Sequence, residues 1–422
     1  SITGTVSVKL QDPNNTVTVK TCNLTTTWQR FELSESNTIS LQGIWVDDIP
    51  AVGIYIWGAQ FEIGSQATTY IYTTDRLNVP RIDYTGGGCP HILSEPQRTN
   101  LFTYSEDFSN AAWAKQSAGT GSAPIVTTNN VISPDGTQNA SKIVFDAGSG
   151  TTSSDQSQII DANVFPDNTL GTVSIYLKGE NGGEKLTLRG VADLTYTLIT
   201  LTTAWQRFST TEDSGTNTDG ITFGVRQNVS GHGVINSNPT IYAWGAQLEE
   251  GSYATSYIPT TGSTVTRNTE TFTRTGIADL INSTEGVLFL DMAALADDGT
   301  SRYITINDGS TNNYVSFRFM TTSNRVLTRT VVGGVTINTL EITISDTTAF
   351  NKYAIKWKSG DYAFWINGVE VATDTSATVF SADVLNRIDF SFPGGNNVPV
   401  KVKQLQVYKK ALSDTQLDDL TS

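Results

Sequence analysis

The sequence predicts an all-β chain built of tandem antiparallel β-sandwiches. Three observations predict it. Only 16% of the 422 residues are charged and 38% are hydrophobic, and Thr, Ser, Asn, Gly, Val and Ile, which favour strands and turns, are abundant. Apolar and polar residues alternate with a period of two over many short segments. Blocks of sequence recur in the same order, the mark of a repeated domain. Length alone suggests about two to four domains.

The same arithmetic excludes several classes. The chain holds 17 Phe, 15 Tyr and 8 Trp, too many aromatics for a disordered segment. A net charge of −14 argues against a nucleic-acid partner, because phosphate contacts need clustered Lys and Arg. Apolar runs are short, as at 287–290, so no membrane-spanning helix is expected. The first residues, Ser1-Ile2-Thr3-Gly4-Thr5-Val6, lack the basic and apolar regions of a secretory signal. Two His and two Cys cannot supply a zinc framework of the usual spacing. Cys22 and Cys89 are read as buried thiols, with one bridge between them left open.

The repeat opens with Gly4-Thr5-Val6-Ser7-Val8-Lys9-Leu10, which returns as Gly171-Thr172-Val173-Ser174-Ile175-Tyr176-Leu177. Thr26-Thr27-Trp28-Gln29-Arg30-Phe31 returns as Thr203-Ala204-Trp205-Gln206-Arg207-Phe208. Ile56-Trp57-Gly58-Ala59-Gln60-Phe61-Glu62 returns as Ala243-Trp244-Gly245-Ala246-Gln247-Leu248-Glu249. The offset grows from 167 to 177 to 187, so the second copy carries two insertions, expected in loops. It also carries a stretch from about 99 to 171 with no counterpart before residue 1. Residues 1–83 therefore read as the C-terminal half of a domain. A half sandwich leaves a sheet edge and an apolar face uncovered. The expectation is a fragment of a longer protein; strands supplied by another subunit are the rival. The boundaries expected are 1–83, a linker at 84–98, a complete repeat at 99–267, and a third unit at 268–422.

In the third unit a short helix-like piece at 277–281 leads into alternating segments at 285–292, 302–307, 314–319, 352–358 and 362–367. Ile366-Asn367-Gly368-Val369 reads as a hairpin, because Asn-Gly accepts the positive φ of a type I′ turn. Residues 413–420 are the one good helical run, with Ser413 as N-cap, Gln416 three residues on, and Leu417 and Leu420 on one face.

The second copy carries Arg98-Thr99-Asn100-Leu101, Ser105-Glu106-Asp107-Phe108-Ser109-Asn110 with Trp113, and Ser133-Pro134-Asp135-Gly136-Thr137, before the repeated Trp205 and Trp244 blocks and Ala254-Thr255-Ser256-Tyr257-Ile258-Pro259-Thr260. With these blocks it resembles the jelly-roll modules of tailed-phage virion proteins, which are related in fold to carbohydrate-binding modules. The third unit, through Tyr353-Ala354-Ile355-Lys356-Trp357, Phe364-Trp365-Ile366-Asn367-Gly368-Val369 and 402–414, resembles a concanavalin-like (laminin-G-like) lectin sandwich. The resemblances imply the order jelly roll, jelly roll, concanavalin-like. They imply a structural component of a virion tail or head fibre that adheres to host-surface polysaccharide, as a homo-oligomer, a trimer, beside other virion proteins on an extracellular particle. The alternative is a bacterial secreted or cell-surface carbohydrate-binding protein, also without catalysis in this region.

No enzyme is expected. A Ser-His-Asp arrangement needs a His to move the proton, and neither His91 nor His232 has a nucleophile motif near it. Glycosidases need two facing carboxylates. Glu249 and Glu250 are consecutive, point to opposite faces of a strand, and read as a solvated strand end. Gly86-Gly87-Gly88 reads as a joint rather than a phosphate cradle.

Sugar binding needs an aromatic face with polar groups at its rim. The repeated Trp28, Trp205, Trp57 and Trp244 read as core, with Gln60 and Gln247 bonding a nearby loop backbone. Loop residues are the better candidates: Asn228 and His232 in the insertion 228–233, and Asn396 and Asn397 in a Gly-Asn turn. Asp297, Asp298 and Asp308 lie in turns that could offer oxygen ligands to a structural Ca2+, although each turn is also a plain turn signal.

Overall fold

The computed structural model describes residues 4–11, 17–33, 43–49, 54, 81–83, 90–161, 165–191, 196–216, 221–235, 238–270, 272–393, 395 and 399–422. Strands dominate, as the composition predicts. The chain divides into two units, 1–73 and 74–422.

In the first unit β1 (Gly4–Gln11), β2 (Val17–Leu24) and β3 (Gly43–Asp47) form an antiparallel sheet in the order β2-β1-β3. Val6 sits opposite Cys22 in the β1–β2 register, and both are buried. Cys22 is a free thiol, and burial pushes its pKa up. Cys89 lies outside the described residues, as do Trp57 and Gln60.

The second unit begins with two short strands, β4 (Arg81–Asp83) and β5 (His91–Leu93), and then builds a sandwich. Its strands are β6 (Arg98–Asn100), β7 (Trp113–Ala118), β8 (Ser122–Val131), β9 (Ala140–Asp146), β10 (Gln156–Asp161), β11 (Leu170–Gly179), β12 (Lys185–Arg189), β13 (Thr197–Thr200), β14 (Gln206–Asp213), β15 (Thr222–Arg226), β16 (Thr240–Glu250) and β17 (Val265–Arg267). Two five-stranded sheets result, β13-β12-β15-β10-β7 and β14-β11-β16-β9-β8, with β17 and β6 paired beside them. Alternate residues such as Ile159, Val173, Ile175, Leu186, Phe223 and Leu248 meet in one core between the sheets. Trp113 is fully buried there, 4.9 Å from Phe108 and 5.1 Å from Phe102 between ring centroids, and its indole N–H donates to the Tyr104 carbonyl at 2.7 Å. Asn100 ties the entry to the core. Its amide donates to the Ala246 and Ile258 carbonyls, and its Oδ1 accepts from the Phe102 and Leu248 amides.

The two copies of the repeat pair differently. In the complete copy β11 lies between β14 and β16. In the first unit β1, its counterpart, lies between β2 and β3. By the repeat offset β2 and β3 correspond to the β13 and β15 regions, which in the complete copy belong to the opposite sheet.

The second sandwich adds β18 (Thr273–Arg274), β19 (Glu285–Ala294), β20 (Arg302–Asn307), β21 (Tyr314–Phe319), β22 (Arg325–Val332), β23 (Val335–Thr343), β24 (Asn351–Lys358), β25 (Tyr362–Ile366), β26 (Val369–Asp374), β27 (Arg387–Asp389), β28 (Val400–Tyr408) and α1 (Asp414–Thr421). A six-stranded sheet, β18-β27-β20-β21-β22-β23, faces a seven-stranded one, β26-β25-β24-β19-β28-β5-β4. Phe317, Phe319, Tyr353, Trp357 and Phe364 fill the space between them. The hairpin at Asn367 and Gly368 has φ of 48° and 79°, the positive pair that a type I′ turn needs. The helix is capped as expected: Ser413 Oγ accepts from the Gln416 amide, and Gln416 Oε1 accepts from the Ser413 amide. Leu417 packs it against Phe289 and Trp365 on the outer face of the seven-stranded sheet. The helix-like piece at 277–281 is a single 3-10 turn, Ala278–Leu280.

Three expectations need correction. The segment 84–98 is more than a linker. Its β5 pairs with β28 and with β4, covering an edge of the seven-stranded sheet that would otherwise expose unpaired backbone groups. Glu249 is no solvated strand end. It is fully buried, accepts from the Thr255 amide at 2.7 Å, the Thr255 hydroxyl at 2.8 Å and the Gln247 amide, and burial pushes its pKa up. Two of the repeated tryptophans, Trp28 and Trp205, are not core elements. Trp28 is 72% exposed and Trp205 half-buried. Trp244 is buried on the outer face of its sheet, between Tyr176 and Tyr257.

Candidate glycan-binding face

Strand periodicity builds the site. In β20 and β21, Ile304, Ile306, Val315, Phe317 and Phe319 point into the core. Their alternates therefore point outward: Tyr303, Thr305 and Asn307, then Tyr314, Ser316 and Arg318. The register sets three rows across the sheet. Tyr303 lies opposite Arg318, Thr305 opposite Ser316, and Asn307 opposite Tyr314. Thr305 also faces Asp389, Asn307 faces Arg387, and Ser316 faces Arg329. Three arginines and three aromatic rings thus share one face of the sheet, in a chain of net charge −14; Thr305, Asn307, Tyr314 and Ser316 are buried there, whereas Tyr303, Arg318, Arg329, Arg387 and Phe392 are half-buried.

The contacts fix these side chains. The Arg318 guanidinium lies 5.0 Å from the Tyr303 ring centroid and donates to Ser301 Oγ at 2.7 Å. Phe392 meets Tyr303 at 5.4 Å and Tyr314 at 5.5 Å. Arg329 donates to Thr339 Oγ1 at 3.2 Å. Burial pushes the Tyr314 phenol up, against the pull of Arg329. Asp389 is buried, with Arg387 at 2.7 Å on one oxygen and the Asn307 amide at 2.8 Å on the other. The carboxylate is therefore satisfied, whereas the buried Nε–H groups of Arg318 and Arg387 have no hydrogen-bond partner among the described residues. Such a face can stack a sugar ring on Tyr303 and Phe392 and offer planar donors to a carboxylate or sulfate.

The structure scatters the residues singled out from sequence. Asn396 and Asn397 lie outside the described residues. Asn228 and His232 belong to the jelly roll. The Asn228 amide donates to the Gly233 carbonyl at 2.8 Å, with φ of 45°. His232 Nε2 lies 2.8 Å from the Tyr196 carbonyl. The Tyr196 hydroxyl in turn accepts from Arg226 at 2.7 Å. Asp297 accepts from Ser323 and from the Asn324 amide. Asp298 pairs with Arg302 at 2.8 Å and accepts from Ser252; Arg302 and Ser252 hold its carboxyl below the usual range. Asp308 closes the turn after β20, accepting from Ser310 and Asn313. Asp297 and Asp298 line a cleft of about 620 Å³ with Arg98 and Ser252, between the two sandwiches. Among the described residues no group of three or more His, Cys, Asp or Glu side chains is placed to hold a metal ion.

The arginine face lies on strands, away from the loop residues that the sequence favoured. Its signal was nevertheless present: Tyr303, Tyr314 and Arg318 are the outward partners of apolar residues in segments already read as strands.

No family model matches the chain, and no curated protein matches it. Among solved structures it is similar to the CBM40 of the Ruminococcus gnavus IT-sialidase, at 18% identity, over 33% of this chain and 84% of that one, with a TM-score of 0.29. It is similar to a SAP-like pentraxin of Limulus polyphemus at 13% identity, over 34% and 72% of the two chains, with a TM-score of 0.26. It is also similar to sheep galectin-11 at 8% identity, over 32% and 96%, with a TM-score of 0.24. What the chain itself displays is an all-β architecture of antiparallel sheets packed as β-sandwiches.

Proposed function

We propose that this chain is a non-catalytic glycan-binding protein, a structural part of a tailed-phage appendage that adheres to polysaccharide on the host surface. The observation that carries the binding role is the arginine face. Three guanidiniums and three rings meet on one face of the six-stranded sheet, with Arg318, Arg329 and Arg387 half-buried rather than covered. That donor set selects anionic saccharides, uronates or sulfated sugars, over neutral ones. The virion role rests on the block resemblance of the jelly-roll repeat. As a fibre component the protein would assemble as a homotrimer beside other virion proteins, and trimers multiply a weak single site by avidity.

A glycan array of anionic and neutral oligosaccharides tests the reading, with the chain beside its Arg318→Ala/Arg387→Ala variant. Binding to anionic glycans that the variant loses is expected. Anionic binding that survives in the variant would overturn the site. Recovery of the protein in purified phage particles, and trimers by light scattering, test the appendage role. Recovery in a secreted or envelope fraction instead would favour the bacterial alternative.

A further inference from the structure

The complete jelly-roll copy presents an aromatic pair on its surface that core packing does not explain. Trp205 and Tyr242 are both half-buried and lie on the outward side of β14-β11-β16-β9-β8. The Lys178 ammonium sits between them, 5.1 Å from each ring centroid. At the rim, Lys142 pairs with Glu180 at 2.7 Å, and the Tyr242 hydroxyl donates to Glu180 at 3.4 Å. The Trp205 indole N–H donates to the Ile132 carbonyl at 3.0 Å, which holds the ring in place. In the first copy the same block presents Trp28, 72% exposed.

Leaving a tryptophan in water forfeits the gain of burying it. Here the residue stands twice at one place in a repeated block and is outside the core both times. Its surroundings are those of a sugar platform: flat rings with an ammonium and a carboxylate within reach of hydroxyls. The charge also differs from the arginine face. Lys142 and Glu180 offset one another, which leaves Lys178 as the single excess charge. We propose that Trp205, Tyr242 and Lys178 form a second saccharide site, which takes a neutral hexose chain. The C–H faces of the sugars lie on the two rings, and their hydroxyls meet Lys178 Nζ and Glu180. The inference rests on the glycan-binding reading of the chain but not on the arginine face.

The test uses the full chain on an array of neutral and anionic oligosaccharides, with four variants. The Arg318→Ala/Arg387→Ala variant should keep its neutral ligands. Trp205→Ala and Tyr242→Ala should each weaken neutral binding about tenfold or more, and leave anionic binding in place. Trp205→Phe, which keeps a ring but loses the bond to Ile132, should bind within about threefold of the parent. Neutral binding unchanged in Tyr242→Ala, which leaves the Ile132 bond intact and so decides the matter even if Trp205→Ala fails to fold, would overturn the platform. So would its loss in the double arginine variant, or no neutral ligand at all for the parent chain. In that last case anionic binding would still uphold the arginine face.

Discussion

Two outward sheet faces of the second unit, one on each sandwich, carry polar and aromatic side chains in similar density and use them differently. On the jelly roll, the chain that follows β16 folds back over the face and bonds much of what it offers, although Arg207 Nε and the Trp244 indole N–H have no hydrogen-bond partner among the described residues. Gln247 Oε1 accepts from the Ile258 amide at 2.7 Å, Glu249 accepts from Thr255, and the Tyr257 hydroxyl donates to Glu106 at 2.9 Å. Gln247 and Glu249 are fully buried as a result. The corner around Trp205 and Tyr242 stays accessible. On the six-stranded sheet Tyr303, Arg318, Arg329 and Phe392 remain half-buried, with no later segment among the described residues covering them. A polar residue on a sheet face is structural when its own chain completes its bonds. It is a candidate for a ligand when it stays accessible.

Breaking each face should therefore cost different things. The largest effect is expected from Asn100→Ala, at the base of the jelly-roll network. It removes four hydrogen bonds and leaves buried amide and carbonyl groups unpaired, at about 1–3 kcal/mol for each orphan. Urea unfolding should show a loss of about 3 kcal/mol or more; a loss under about 1 kcal/mol would mean that water replaces the side chain. Arg318→Ala should do the reverse, changing stability by no more than about 0.5 kcal/mol while weakening anionic glycans on the array. A large stability loss there would make Arg318 a structural residue and blur the contrast.

This contrast was only partly legible in the sequence. Periodicity placed 302–307 and 314–319 correctly as strands, and the capping box placed the helix. The same period marks Tyr303 and Arg318 as outward, but which outward residues are left over depends on which chain segment crosses them. No local pattern encodes that. The tryptophans show the limit from the other side. A repeat reveals that a residue recurs at one structural position, not whether that position faces the core: Trp113, which fills the core, lies in the unrepeated stretch. Three-residue strands such as β5 are too short for any period to register, so the edge of the seven-stranded sheet read as linker.

A smaller effect separates satisfied from merely buried groups on the jelly-roll face. Burial raises the pKa of Glu249 despite its bonds to Thr255. A raised carboxylate contributes stability that is present below the unfolded value, about 4.3, and lost as pH rises through the folded value. Urea melts at steps from pH 4 upward should show that decline, and Glu249→Gln should flatten it. Equal slopes in the two proteins would place the burden on another group, such as Glu106, which burial also raises.

The smallest effect is expected at the edge of the seven-stranded sheet, where a left-over atom titrates. His91 in β5 is 8% exposed and meets Phe350 edge-on at 5.3 Å. Its Nε2 has no hydrogen bond among the described residues, with Asp83 of β4 3.5 Å away. Burial lowers its pKa; Asp83 opposes the shift, and Lys401 and Lys403 of β28 add to it. A lowered histidine favours the neutral fold. Unfolded chains take the proton first, so its contribution is complete above about pH 6.5 and declines as pH falls below that value. Strand β5 is joined to β28 at Leu93–Lys401 and Ile92–Val402, so the loss should appear locally. Hydrogen exchange of the Ile92 and Leu93 amides should be faster at pH 5 than at pH 7.5 after correction for intrinsic rates, and His91→Phe should remove the difference. Equal protection at both values would show that Asp83 compensates the proton fully, which would make the edge a satisfied group like those of the jelly-roll face.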